Sequence, residues 1–146
     1  KKNNHKKYGN NLRYNDIQAS FLLPQLQNFK KIIKNRLLLN QTIFKDLEKY
    51  SYSINKNISP LYNIIFTSDR NGLKNYLLKN NVSSIIQYKR INKNTCYKFL
   101  TSLKSNNSIF WEKNALFLPM GTGLLLKDAK KINRILKKRT DLLVNL

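Results

Sequence analysis

Pro24 stands inside the longest amphipathic stretch of the chain, and a straight helix cannot run through it undisturbed. From Asp16 to Tyr50 apolar residues recur at helical spacing, with Leu22, Leu26, Phe29, Ile33, Leu37, Phe44 and Leu47 on one stripe. Proline lacks the amide that the helix ladder uses, and its ring clashes with the preceding turn. The stretch must therefore kink or divide, with a second helix beginning near Asn28. The stripe reads as core.

Just upstream, the run from His5 to Leu26 joins a turn to that helix. Gly9 allows positive φ, and Asn10-Asn11 is the residue type that next best tolerates it, which predicts a tight loop. Asn15 is placed as an N-cap with Gln18 three residues on, a capping-box spacing. A loop of amide and guanidinium donors pinned to a helix start suits an anionic group such as a phosphate. An Asn-rich turn leading into an amphipathic helix is the plainer reading of the same residues.

Further along, Ser51 to Pro60 is polar and reads as a surface loop. Leu61–Thr67 is rich in β-formers and predicts a strand, followed by a helix from Asp69 to Asn80 with Leu73, Tyr76 and Leu77 on one face. Val82–Tyr88 predicts a second strand and Ala115–Pro119 a short buried one, with Ser108–Asn114 helical between them. Lys89–Asn107 has weak periodicity and reads as loop with one helical turn around Tyr97–Leu103. Gly121 and Gly123 read as a turn, because Leu126 breaks the Gly-x-Gly-x-x-Gly spacing of a dinucleotide loop. A last helix from about Leu125 to Thr140 sets Lys127, Lys130, Lys131, Arg134 and Lys138 opposite Ala129, Ile132, Ile135 and Leu136, with Leu125 offering no side-chain cap. A charged face of this kind is usually a solvated one.

Composition narrows the function classes. A length of 146 residues suits one modest domain, and the absence of an initial Met leads us to expect sequence upstream. A net charge of +21 invites a nucleic-acid partner, but it is spread as +8, +7 and +6 over residues 1–50, 51–100 and 101–146. The 22 Lys against 6 Arg, beside 22 Asn, is a bias that A/T-rich codons produce without a partner, whereas a nucleic-acid footprint clusters and uses Arg. A small basic nucleic-acid-binding protein is thus the rival reading, and the expectation is no nucleic acid. No apolar run reaches the roughly 18 residues of a membrane span, so no membrane partner is expected. One Cys and one His form neither an internal disulfide nor a zinc site, which predicts no metal and fits a reducing cytoplasm.

The residues His5, Gly9, Asn11, Leu12, Arg13, Ile17, Gln18 and Ala19 resemble the signature of the DegT/DnrJ family of nucleotide-sugar aminotransferases, with departures at Asn10 and Tyr14. Two further blocks carry the resemblance. Arg70 and Leu73, with Tyr88 after a strand, match the family's small C-terminal domain, although Gln87 stands where its His is usual. Leu116, Leu118, Pro119 and Leu124 match the segment that enters its last helix.

The resemblance implies a mixed α+β chain, the C-terminal part of a fold type I pyridoxal-phosphate (PLP) transferase. Kinked N-terminal helices would pack with a small sheet, built from residues 61–67, 82–88 and 115–118, and a C-terminal helix. It implies a keto nucleotide sugar as substrate, glutamate as amino donor, a homodimer, and a role in cell-surface polysaccharide or secondary-metabolite synthesis. In the family the Schiff-base lysine and the acid on the pyridine nitrogen precede the loop, so no catalytic residue is expected between positions 1 and 146. The resemblance assigns Asn11 to the phosphate of the partner subunit's PLP, and Arg13, His5, Gln87 and Tyr88 to holding the loop or the substrate. It equally covers dehydratase relatives, which carry His in place of that lysine.

Overall fold

A computed structural model describes residues 15–52, 61–100, 105–121 and 123–145. Its elements are α1 (Asp16–Ser20), α2 (Leu22–Gln27), α3 (Phe29–Ile43), β1 (Asn63–Phe66), α4 (Arg70–Lys79), α5 (Asn106–Asn114), β2 (Ala115–Leu118) and α6 (Leu126–Lys137). Short 3₁₀ turns at Glu48–Tyr50, Ile91–Lys93, Thr95–Leu100 and Thr140–Leu142 connect them. No described helix is long and apolar enough to cross a membrane.

The sheet is the partition of the fold. β1 and β2 pair antiparallel, with Ile64 opposite Phe117 and Ile65 opposite Leu116. Side chains alternate across a strand, so the two faces receive different residues. Ile65, Leu116 and Leu118 join the main core with Leu39, Ile43, Phe44 and Leu47 of the α3 region, Leu73 and Leu77 of α4, and Ala129, Ile132, Ile135 and Leu136 of α6. Phe66, Ala115 and Phe117 face the other way and meet Phe110 and Trp111 of α5. The outer edge of β1 is occupied too, since Tyr52 N–H donates to Ile64 O (3.1 Å) and Val144 N–H to Phe66 O (3.1 Å). Few ladder groups are left unpaired.

Local chemistry explains the helix boundaries. Asp69 Oδ1 accepts from Gly72 N–H at 2.8 Å and caps α4, as its position before the periodic residues predicts. Leu125 has no polar side chain, and α6 is capped in reverse: its backbone N–H donates to Asp128 Oδ2 at 3.1 Å. An acidic residue in the first turn also suits the helix dipole. The final helix ends at Lys137, short of Thr140, and its basic residues are exposed as a solvated face.

Three expectations need correction. The stretch from Asp16 is three helices, interrupted at Phe21 and Asn28, and the last of them ends at Ile43. Pro24 lies early in α2, where the missing amide costs least. The stripe is core only at its far end, where Phe44 and Leu47 are buried, while Leu26 and Phe29 are more than half exposed at 55% and 53%. Helical periodicity marks an apolar face without saying what covers it. Lastly, residues 82–88 contribute a single bridge, Ile85 to Phe117, and no strand. Ile85 N–H and C=O both bond Phe117, at 2.9 and 3.0 Å, and the chain then departs from β2 to form the wall described next, so the sheet has two strands.

Candidate functional site

A cleft of about 830 Å³ opens on the aromatic side of the sheet. Ile64 and Phe117 form its floor, residues Gln87 to Asn92 one wall, and Ser105, Ser108, Trp111 and Glu112 the other. The floor follows from strand alternation, which sends Ile64 and Phe117 away from the main core. The first wall follows from the departure of the chain after Ile85. The second is α5, held by Ser105 Oγ at its N-terminus (3.4 Å from Ser108 N) and by aromatic packing. Trp111 meets Phe66 edge-on at 5.0 Å and Tyr52 at 5.1 Å, so its ring is fixed by neighbours on two sides.

Two of the charged residues that line the cleft, Arg90 and Glu112, are paired, and Lys89 is a further cation on the same wall. Glu112 Oε2 accepts from Arg90 Nε at 2.7 Å and from Lys93 Nζ at 3.0 Å, and only 14% of the Glu112 side chain is exposed. Burial alone would raise its pKa. Hydrogen bonds from Lys93 and Arg90, with their positive charges, outweigh that and hold the carboxyl below its ordinary value. The cluster ties the 87–93 wall to α5 and sets the cleft's width.

Its pH dependence follows by linkage. The folded pKa is depressed, so the stabilisation is complete above the unfolded value of about 4.3 and is lost as pH falls through the folded one. Acid titration of unfolding stability should show a loss below about pH 4.3 that Glu112→Gln reduces. At neutral pH the same change should cost on the order of 1 kcal/mol. An identical acid profile in the variant would mean that the cluster contributes nothing.

Gln87 and Tyr88, which the resemblance assigns to holding the loop or the substrate, both line the cleft. Tyr88 is 61% exposed, its ring meets Phe117 edge-on at 6.1 Å, and its hydroxyl lies 3.4 Å from that of Tyr62, a contact that raises its pKa. His5, Asn11 and Arg13 lie outside the described residues. Arg90, Lys93, Trp111 and Glu112 were not legible as a group. Arg90 and Lys93 lie in the weakly periodic segment and pair with a residue about twenty positions on, and the sole sequence signal was one Trp beside one Glu. No group of acidic, His or Cys side chains able to hold a metal occurs among the described residues.

The two-stranded sheet and its flanking helices make a mixed α+β fold. Residues 1–137 match the model of the DegT/DnrJ/EryC1/StrS aminotransferase family, and the chain belongs to that family. Among solved structures it is similar to a DegT DnrJ EryC1 StrS aminotransferase from Brucella abortus, with 22% identity and a TM-score of 0.72 over 87% of this chain and 36% of that one. It is similar also to Helicobacter pylori PseC, an aminotransferase involved in pseudoaminic acid biosynthesis, with 21% identity and a TM-score of 0.69 over 93% and 40% of the two chains. Spr1654 of Streptococcus pneumoniae, solved in a PMP form, gives 20% identity and 0.71 over 88% and 36%. The chain therefore spans between a third and two fifths of the length of these relatives. No curated protein sequence matches it.

Proposed function

We propose that residues 1–146 are the C-terminal portion of a PLP-dependent, homodimeric aminotransferase that places an amino group from glutamate on a keto nucleotide sugar in the cytoplasm. The observation that carries this reading is the family match over residues 1–137, which includes the His5 to Ala19 block. The partial coverage of longer relatives supports the assignment to one portion of the enzyme. So does the apolar surface of Ile17, Phe21, Leu23, Leu26 and Phe29, each at least half exposed, of the kind that a further part of a fold covers.

The cleft offers little of a phosphate cup, since Lys89 is, among the described residues, the one lining cation outside its ion cluster. The cations nearest the cleft's acidic group, Arg90 and Lys93, are engaged by Glu112 and not free to form a phosphate cup. In this reading cofactor contact is assigned, through the family resemblance, to Asn11, whose amide can donate to a phosphate oxygen, with Arg13 and His5 holding the loop. PLP, when bound, supplies the electron sink for amino transfer. The cleft's contribution is to bind and orient. Trp111, Phe117 and Tyr88 present apolar faces to a sugar ring, and the Gln87 amide can both donate to and accept from its hydroxyls.

Treatment of the 146-residue chain with PLP and borohydride should leave no stoichiometric pyridoxyl adduct on any single lysine. The chain joined to its upstream lysine-bearing domain should convert a keto nucleotide sugar and glutamate to the amino sugar, read by mass spectrometry. A one-to-one adduct on one lysine of the chain alone would overturn the assignment of the lysine to the other portion.

A further inference from the structure

Folding draws part of the positive charge onto one face of α6. Lys127, Lys130, Lys131, Arg134 and Lys138 are all exposed, while Ala129, Ile132, Ile135 and Leu136 on the opposite face are buried in the main core. At 3.6 residues per turn, Lys127, Lys131, Arg134 and Lys138 follow one another in a row about 16 Å long, with Lys130 beside it. Among the described residues, no ion pair includes any of the five. The acids in this part of the chain are committed elsewhere. Asp128 Oδ2 accepts from Leu125 N–H at 3.1 Å, and Asp141 pairs with Arg139 at 3.1 Å. At the entrance of the helix Leu125 and Leu126 are 54% and 41% exposed.

Covering five unpaired cations with a further part of the fold would cost their hydration, which sets this face apart from the apolar surface of α1 and α2. Its partner must be anionic and broad enough to meet charges spread over about three turns. Two features favour a lipid surface over a nucleic acid. Four of the five cations are Lys, the compact charge of polybasic membrane segments, whereas phosphate and base recognition draws on the Arg fork. The exposed apolar neighbours are two leucines, which suit the acyl boundary of a bilayer, and α6 has no aromatic ring on which a base could stack. Because its inner face is held in the core, α6 would lie on the headgroups and not enter the bilayer. Such a contact needs no spanning helix, so the expectation of no membrane partner, which rests on the lack of a span, does not bear on it.

We propose that the exposed face of α6 is a docking surface for an anionic lipid bilayer. The aminotransferase reading is not needed for it.

The test must separate this face from the general attraction of a chain with a net charge of +21, and from adsorption through the apolar residues of α1 and α2. The 146-residue chain is pelleted with vesicles of phosphatidylcholine alone and with vesicles containing about a third phosphatidylglycerol. The ratio of the two affinities is the quantity read, since apolar adsorption contributes to both. Lys127→Gln, Lys131→Gln and Arg134→Gln combined should lower that ratio at least about tenfold. Lys30→Gln, Lys31→Gln and Lys34→Gln combined remove the same charge from exposed positions of α3 and should lower it less than about threefold. Equal losses in the two triple variants would overturn the site in favour of general attraction. A loss of affinity for a single-stranded oligonucleotide in the α6 variant, with its vesicle ratio unchanged, would overturn it in favour of a nucleic acid. Thermal melts of both variants establish that a loss is read on folded protein.

Discussion

Asn133→Leu should destabilise the fold by about 2–4 kcal/mol, more than a surface substitution in the same helix would. Asn133 lies in the otherwise apolar inner face of α6 and is buried at 9% exposure. Its Nδ2 donates to Ile43 O and to Lys45 O, both at 2.9 Å. Those carbonyls lie where α3 ends, and the last carbonyls of a helix have no partner within it. One side chain of α6 therefore terminates α3, and its bond to Ile43 O is buried. Leucine keeps the branched shape and opens no cavity, so the cost reports the two lost hydrogen bonds and the stranded acceptors together with some crowding by the larger methyls. Asn133→Asp should be at least as damaging at neutral pH, because a carboxylate would face two carbonyl oxygens, and it should recover on acidification as the group is protonated. Urea unfolding of the three proteins at two pH values measures both effects. Near-wild-type stability in both variants would show that α3 ends without help from α6.

The Lys137–Asp46 pair at 2.6 Å spans the same junction but is exposed. Its hydrogen bond and the adjacent Lys137 charge lower the Asp46 pKa, yet solvent screens the pair, so Asn133 is the better candidate for what holds α3 against α6.

Local signals in the sequence were readable wherever a single element carries its own explanation. Asp69 before a periodic run, the β-formers around Ile64 and Ile65, the Ala115–Leu118 strand and the two faces of α6 are all where residue chemistry places them. Signals that depend on a distant partner were not. Val82–Tyr88 alternates well enough for a strand, but pairing requires a free edge in register, and only Ile85 meets one. The apolar residues from Ile17 to Phe29 specify a face, and the periodicity is the same whether that face packs within the described fold or not. Asn133 is hidden by its own surroundings, since one polar residue in an apolar stripe can be a solvated edge or a buried tie. The cleft follows the same division. Gln87 and Tyr88 were singled out by a resemblance and line the cleft, whereas the Arg90–Lys93–Glu112 cluster exists only because 3₁₀ turns bring residues 90–93 back against α5.

Asn11→Ala in the complete enzyme should weaken PLP retention roughly ten- to a hundredfold while leaving the fold intact. An amide hydrogen bond to a charged phosphate contributes on the order of 1.5–3 kcal/mol, and each 1.4 kcal/mol is about tenfold in affinity. The proposed reading adds that the amide serves the neighbouring subunit, which makes the effect depend on how lesions are distributed. Two heterodimers distinguish this. When Asn11→Ala and loss of the Schiff-base lysine lie on one chain, the intact chain keeps its lysine but faces a partner without Asn11, and its cofactor should be held weakly. When the two lesions lie on opposite chains, the remaining lysine faces an intact Asn11, and retention should approach wild type. Cofactor absorbance after gel filtration of each heterodimer reads the difference. Equal retention in the two arrangements would show that the loop does not act across the interface, and Asn11 would then be left with the structural role of shaping the turn that leads into α1.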